Sequence, residues 1–381
     1  MKKKLSLPVL ILDPANFIGG AECFMLDFLR YTTSKKNYTF IVGTTGNKEY
    51  VSQIPAHCKI FKLPLPRLRL FSLSSLLALR RSVREISSFV EKKKIALIIS
   101  NSVRSHVIAS FVSKKTHVPL LWMMHDFTFP RMILSYLAKV PVRIVCVSYA
   151  VRKYVLLATR GKWKEKMVVI PNGVDLANIQ QQAAMNIKLP LKRNEIWVGT
   201  IGRIERWKGQ EYFIRAAIKM LNLVPRARFF IIGSPTEYDR KTIHYFEMLK
   251  RLVVHNRLTT KVNFTGYLPN VYPLLSKLDI LVHTAIEPEP FGRVVLEGMA
   301  MKKPVIASPL GGPSEVIKDG SDGFLVDPKD TTRLASVMME LASAQHKRDM
   351  VGEAAYQKVS QFYTTKIVYD KLFTHIKMIL S

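Results

Sequence analysis

The sequence predicts an α/β protein built from two doubly wound, Rossmann-like domains facing a central cleft, and three observations carry that expectation. At 381 residues the chain exceeds the roughly 100–200 residues of a usual single domain, so two cores are expected. Short apolar runs recur from end to end, each closing in small or polar residues and followed by helix-like spacing. This is how parallel strands covered on both faces by crossover helices read in sequence. A polar segment at 175–193, with Gln180, Gln181 and Gln182 in a row, interrupts the series near its middle and has linker composition.

The first candidate strand is Pro8–Leu12. Lys2, Lys3 and Lys4 before a short apolar run imitate a secretory leader, but Pro8 and Asp13 interrupt it and no small-residue cleavage site follows, so a buried strand is expected. Gly19-Gly20-Ala21-Glu22 comes next and opens a helix carrying Phe24, Leu26, Phe28 and Leu29. Further strands are expected at Thr39–Val42, Ala96–Ile99, Val118–Met124 and Ile144–Val147, then at Trp197–Ile201, Arg228–Ile232, Ile280–Val282 and Pro304–Ala307. The longest apolar region, Met132–Val151, is broken by Lys139 and Arg143 and falls short of the roughly 18 or more residues of a membrane span. Ile367, Val368, Leu372, Phe373, Ile376 and Ile379 repeat at helical spacing in the last segment. The domain boundary is expected near Asn172.

Three cysteines, Cys23, Cys58 and Cys146, form an odd set without metal-type spacing, which points away from a disulfide framework and toward a reducing, cytoplasmic compartment. Lys and Arg number 58 against 28 Asp and Glu, a net +30. Residues 1–165 hold 28 of the basic and 8 of the acidic side chains, so the first half carries +20 and the rest +10. Such an excess concerns partners rather than fold.

In open parallel sheets, ligands bind beyond the carboxyl ends of the strands, where backbone N–H groups and helix N-termini face out. Those ends carry Gly19-Gly20, His125-Asp126, Gly202-Arg203, Gly233, His283-Thr284 and Ser308. A glycine pair alone is what any tight βα turn needs. Gly202-Arg203-x4-Lys208-Gly209 is more specific, since a planar fork and a point charge five residues apart suit a diphosphate; its bland alternative is a solvated turn in a basic protein. The richest segment is Glu287 to Ala300. Pro290 and Gly292 mark a helix start there, and the first-turn N–H groups near Gly292 to Val294 lack intrahelical acceptors. Glu289 precedes that helix and Glu297 lies about one and a half turns inside it, so both carboxylates can accept from the vicinal hydroxyls of a sugar or ribose.

On these residues the chain resembles the retaining glycosyltransferases of GT-B fold, in the large family four, also known as glycosyl transferases group 1. Glu289 to Glu297 matches the family's E-x7-E motif. Gly202-Arg203-x4-Lys208-Gly209, Gly266-Tyr267-Leu268-Pro269, Pro304 to Ala307 and Gly311-Gly312-x2-Glu315 match as well. Val169 to Asp175 resembles the interdomain crossover, and Gly19-Gly20-Ala21-Glu22 the first loop.

The resemblance implies an N-terminal acceptor domain at 1–172, a nucleotide-sugar domain at 173–363, and a last helix at 364–381 that packs back on the first domain. It implies that Arg203 and Lys208 clamp the donor diphosphate and that Glu297 holds the ribose. Glu289 would hold the transferred sugar, with Phe291, Gly292, Arg293 and Val294 beside it, while Leu268 lines the base pocket and Gly19 and Gly20 belong to the donor-binding set. His125 matches the histidine that approaches the sugar, and read without the family it is a satisfied turn residue. The acting set is then His125, Arg203, Lys208 and Glu289. Two departures are Gly298, where alanine is usual, and Lys302, where glycine is common.

None of the twelve aspartates stands in an Asp-x-Asp triplet, so no metal site is expected and cationic side chains must meet the diphosphate. No cofactor beyond a UDP- or GDP-sugar co-substrate is implied. A retaining reaction invites a carboxylate nucleophile, for which the sequence offers no clear candidate; the family reading favours same-face attack. The implied chemistry is hexosyl transfer to a glycan or lipid-linked acceptor, in cell-surface polysaccharide or glycolipid synthesis.

The stretch Leu70–Val90 sets Leu73, Leu76, Leu77, Val83, Ile86 and Val90 among Arg67, Arg69, Arg80, Arg81 and Arg84. It reads either as a core-facing helix with a solvated charged face or as a helix lying on an anionic membrane. With the first-half charge, the latter places the protein peripherally on the inner face of the membrane. Nucleic-acid binding competes on charge alone, but no zinc spacing, RNP-like aromatic pair or recognition helix accompanies it. Epimerisation or phosphorolysis on the same fold is a further alternative, which the Phe-Gly context of Glu289 to Glu297 fits less well than transfer.

Overall fold

The computed structural model describes residues 6–15, 18–66, 73–127, 131–185, 194–236 and 239–381. The chain divides into two compact units, one of residues 1–173 and 365–381, the other of residues 174–364.

Unit 1 holds strands β1 (Leu7–Leu12), β2 (Tyr38–Thr44), β3 (Lys59–Lys62), β4 (Leu97–Ser100), β5 (Leu120–Met124), β6 (Arg143–Cys146) and β7 (Met167–Val169). They form a seven-stranded sheet in the order β3-β2-β1-β4-β5-β6-β7. Unit 2 holds β8 (Ile196–Ile201), β9 (Ala227–Ile232), β10 (Val262–Gly266), β11 (Ile280–His283), β12 (Val305–Ala307) and β13 (Phe324–Leu325), ordered β10-β9-β8-β11-β12-β13. Every strand pairing in both sheets is parallel. Parallel strands require helical crossovers that bury both sheet faces, which is why β1, β4, β5 and β11 are apolar without alternation and buried along their length or nearly so.

Both sheets reverse their winding at one place. After β1 the chain adds β2 and β3 on one side and returns to add β4 on the other; after β8 it adds β9 and β10, then returns to β11. Crevices open at such switch points beyond the carboxyl ends of the strands. Register then decides which residues share the crevice. Leu12 pairs with Ser100, and Ser100 with Trp122, so the residues just past β1, β4 and β5 collect at one edge.

The last helix, Thr365–Leu380, belongs to the core of unit 1. Val368, Tyr369, Leu372, Phe373 and Ile376 are buried in the cluster that contains Phe24, Met25 and Phe28 of helix Gly20–Tyr31. The Tyr369 hydroxyl donates to the Phe24 carbonyl at 3.0 Å, and its ring meets those of Phe24 and Phe28 edge-on at 5.2 and 5.7 Å.

Two expectations change. The polar segment at 175–193 is not all linker, because Leu176–Ala183 is a helix capped by Asp175, whose carboxylate accepts from the Asn178 N–H at 3.0 Å. The stretch 70–90, described from Leu73 onward, splits along its length. Residues Leu73–Lys92 are one helix, in which Ile86 and Val90 are buried while Leu73, Leu76 and Leu77 are 73%, 55% and 57% exposed. It is therefore not core-facing throughout. Arg67 and Arg69, and the Lys2 to Lys4 run, lie outside the described residues. Among the described residues no disulfide joins the cysteines. Among the described residues no helix is long and apolar enough to cross a membrane.

Both departures from the family pattern have packing reasons. A Cβ on Gly298 would lie 2.4 Å from Leu281 Cδ2 and 3.0 Å from Val305 Cγ2, so an alanine here would require the Leu281 side chain to shift. Lys302 takes the left-handed conformation (φ 56°) that glycine adopts at no steric cost, and its ammonium pairs with Glu353 at 2.7 Å.

Candidate active site

The switch point of unit 2 gathers one cluster. The loop after β8 ends in a short 3-10 turn, Arg206–Lys208, which Gly209 closes at φ +69°. A Cβ on Gly209 would meet the Thr284 carbonyl oxygen at 2.0 Å, so only glycine lets this turn lie against the end of β11. Two hydrogen bonds pin it there: Thr284 Oγ1 donates to the Lys208 carbonyl at 3.0 Å, and the Ile286 N–H to the Trp207 carbonyl at 2.8 Å. The Lys208 ammonium, 4.1 Å over the Trp207 ring, then reaches Glu289 Oε2 at 2.5 Å.

Glu289 is held from every side. Its N–H donates to the Leu310 carbonyl at 3.0 Å, and its carbonyl accepts from the Gly312 N–H at 2.8 Å. His283 Nε2, at the end of β11, lies 3.2 Å from the same carboxylate oxygen that Lys208 contacts. His283 Nδ1 is buried with no partner among the described residues. Burial by itself would raise the Glu289 pKa; the Lys208 charge and the His283 hydrogen bond outweigh it and hold the carboxyl down at about 2. Glu289 is thus a buried carboxylate that stays ionised, next to an ammonium with N–H groups to spare.

Since the folded pKa lies below the ordinary 4.5, the stability it contributes is complete above about pH 4.5 and lost as pH falls toward 2. The shift corresponds to about 3 kcal/mol. The stability difference between the wild type and Glu289→Gln is therefore expected to shrink as pH is lowered from about 5 to 3 in urea titrations. A gap independent of pH would mean that the pair does not hold the carboxylate ionised.

The second motif carboxylate lies in a separate pair. Gly292 caps helix Arg293–Ala300, and Glu297 Oε1 accepts from Arg293 Nε at 3.0 Å and from the Tyr272 hydroxyl at 3.2 Å. Phe291 is buried, and Val294 sits in the first turn of this helix. Arg203 is half exposed and pairs with Glu205 at 3.0 Å, so Lys208, and not Arg203, is the cation joined to Glu289. Leu268, half-buried, follows β10, whose Gly266 carbonyl accepts from the Gly233 N–H at 3.0 Å and so ties the loops after β9 and β10 together.

Unit 1 places Gly19 before helix Gly20–Tyr31, its N–H donating to Glu22 Oε2 at 3.0 Å; Gly20 has open space where a Cβ would stand. His125 follows β5 and is half-buried. Its Nε2 meets Asn101 Oδ1 at 2.9 Å, its ring lies edge-on to Phe24, and burial lowers its pKa to about 3. Sequence reasoning missed Asp13, Tyr50 and Asn101 as site residues, and named His283 only as a strand-end residue without a role. A signal existed: Asp13, Asn101 and His125 are each the first residue past a strand.

Two doubly wound parallel sheets, each with its crevice at a switch point, define the GT-B fold class. Two family descriptions match successive stretches of the chain, Glycosyltransferase Family 4 over residues 18–178 and Glycosyl transferases group 1 over residues 181–358. The chain belongs to the group 1 glycosyltransferases. Its fold is similar to that of Anabaena HepE, solved with UDP and glucose (TM-score 0.80, 22% identity, 97% of this chain and 99% of that one), and of a Rickettsia africae glycosyltransferase (TM-score 0.85, 22% identity, 99% of each). The α-D-kanosaminyltransferase of Streptomyces kanamyceticus is 29% identical over 174 residues, 45% of this chain and 43% of that relative. The chain spans about half the length, or less, of several curated relatives that it matches.

Proposed function

We propose that this protein transfers a hexosyl group, with retention of anomeric configuration, from a UDP- or GDP-sugar to a glycan or lipid-linked acceptor. The observation that carries the reading is the Lys208–Glu289–His283 cluster at the unit 2 switch point, where a doubly wound sheet receives a nucleotide. Similar proteins agree with it, since HepE was solved with UDP-glucose and the kanosaminyltransferase is named for sugar transfer.

Lys208 has ammonium N–H groups beyond the one engaged by Glu289, and these donate to diphosphate oxygens as negative charge grows on the leaving group. Arg203, half exposed and paired with Glu205, adds a fork from the same loop. The ionised Glu289 accepts from hydroxyls of the transferred sugar, and Glu297, fixed by Arg293 and Tyr272, accepts from the ribose. The first turn of helix Arg293–Ala300 offers N–H groups to the same anion. With cations and a helix dipole meeting the phosphates, no metal ion is needed in this reading.

The acceptor half is proposed to dock on an anionic membrane from the cytoplasmic side. Leu73, Leu76 and Leu77 stand exposed on the same helix as exposed Arg80, Arg81 and Arg84, the composition of a surface that inserts apolar side chains beneath lipid headgroups. Polysaccharide or glycolipid assembly would supply such an acceptor.

Thermal shift across nucleotide sugars tests the donor, since a ligand at about 100 times its Kd stabilises by about 2.7 kcal/mol. Transfer of labelled sugar from the donor so found is expected to continue in EDTA. A large loss restored by Mn2+ would overturn the metal-free reading, and the absence of a shift with every nucleotide sugar would overturn the donor site.

A further inference from the structure

We propose that Asp13 and Asn101 are positioning residues that lock His125 with its proton on Nε2, so that Nδ1 presents a lone pair to a hydroxyl of the sugar substrate. The inference rests on the transfer reading and names the state in which one of its residues must act.

The register of β1, β4 and β5 makes the three residues neighbours, and hydrogen-bond accounting fixes their protons. Asn101 Nδ2 lies 2.7 Å from Asp13 Oδ2 and 3.1 Å from the Ala21 carbonyl oxygen, so both of its N–H groups face acceptors. Turning the amide over would set its oxygen against two oxygens. Its Oδ1 must therefore face His125 Nε2, at 2.9 Å, and can only accept. Nε2 then carries the hydrogen. Burial keeps the ring neutral, so Nδ1 holds a lone pair and acts as an acceptor, never a donor.

Asp13 is what anchors the amide. It is fully buried, its Oδ2 also accepts from the Tyr50 hydroxyl at 2.8 Å, and its Oδ1 has no partner among the described residues. Nothing in the packing of a βα turn calls for a buried, half-unpaired carboxylate there, and such a group costs stability. Burial first, then the nearby Glu22 carboxylate, raise its pKa to about 7, against the hydrogen bonds of Tyr50 and Asn101 and the charge of Arg104. The titratable and charged groups facing it are thus Glu22, Tyr50 and Arg104, with Cys58 acting on Tyr50 and His125 one hydrogen bond further on through Asn101. A proton taken up by Asp13 sits on the unpartnered Oδ1, so Oδ2 keeps two lone pairs and accepts both bonds on either side of about pH 7.

The test uses the full chain labelled with 15N-histidine, the His125 ring signals being assigned by their loss in His125→Gln. The expected result is a neutral ring with hydrogen on Nε2 from about pH 6 to about pH 8. Hydrogen on Nδ1, or a charged ring, overturns the proposal. Asp13→Ala is expected to mix the two tautomers and to lower kcat about tenfold, the low end of what losing a partner that orients a histidine costs, while nucleotide affinity holds. In a His125→Ala background the same substitution is expected to add nothing, because it acts through the ring. Additive losses overturn it. Asp13→Asn keeps an acceptor oxygen for Asn101 and is expected to restore both the tautomer and kcat. Should Asp13→Ala not fold, Asn101→Ala carries the same cycle. A wild type that transfers no sugar overturns the proposed function instead, and the ring signals then decide the state of His125 by themselves.

Discussion

Lys208→Ala is expected to lower kcat/KM for sugar transfer by about 100-fold or more. The ammonium does two jobs at one atom. It donates toward the diphosphate, where removing one preorganised donor costs roughly 3 kcal/mol of transition-state stabilisation. It also holds Glu289 ionised across a 2.5 Å contact in which both side chains are largely buried. Removing one partner of a buried pair leaves the other charge uncompensated, which costs about 3–5 kcal/mol and lets the Glu289 pKa climb toward the value burial alone imposes. The two jobs separate in a double variant. Adding Glu289→Gln to Lys208→Ala is expected to recover much of the lost stability, since the orphaned charge is gone, but none of the transfer. Lys208→Arg is expected to fail as well, because a planar fork does not reproduce a point charge seated over the Trp207 ring. Steady-state kinetics with urea unfolding measures all of these. Transfer within twofold of wild type in Lys208→Ala would sink the donor-site assignment.

Membrane binding is expected to be the next largest effect. Binding to vesicles should rise with anionic lipid and weaken with salt, because surface attraction is screened over roughly 8 Å at physiological ionic strength. Replacing Arg80, Arg81 and Arg84 with Gln is expected to lower partitioning by about two orders of magnitude if all three face lipid. The Arg81 guanidinium donates to Glu85 at 2.7 Å, so part of its charge is already answered and the loss falls somewhat below that figure. A second set, Leu73, Leu76 and Leu77 to Ser, tests the apolar share. It is expected to weaken binding in high salt, where the arginines no longer act, and to leave the fold intact because these side chains pack on nothing that buries them. Vesicle binding unchanged in both sets would remove the membrane from the reading and leave the +20 of the first half to a polyanionic glycan.

Nine of the thirteen strands are legible in the sequence. The four that are not, β3, β7, β10 and β13, are the edge strands of the two sheets. An edge strand has one paired neighbour and less helix cover, so it needs no continuous apolar run. Lys59-Ile60-Phe61-Lys62 is half charged and largely exposed, and Phe324-Leu325 is too short to register as a pattern. The helix at 73–92 misleads for a related reason: one amphipathic pattern serves the core in its second half and faces outward in its first, and periodicity reports the stripe without reporting what covers it.

The sequence by itself determined the two parallel sheets, the loops that carry Lys208 and Glu289, and the helix that carries Glu297, because burial of both sheet faces and helix starts at glycine and proline are local demands written in residue order. Only the tertiary structure decided who meets whom. Glu289 and Glu297, eight positions apart, lie in separate pairs, one with Lys208 and His283, the other with Arg293 and Tyr272. Asp13, Asn101 and His125, spread over more than a hundred positions, form one hydrogen-bonded line. Strand order and register set those meetings, and both are fixed by how whole helices pack on whole sheets, which no local run of side chains encodes.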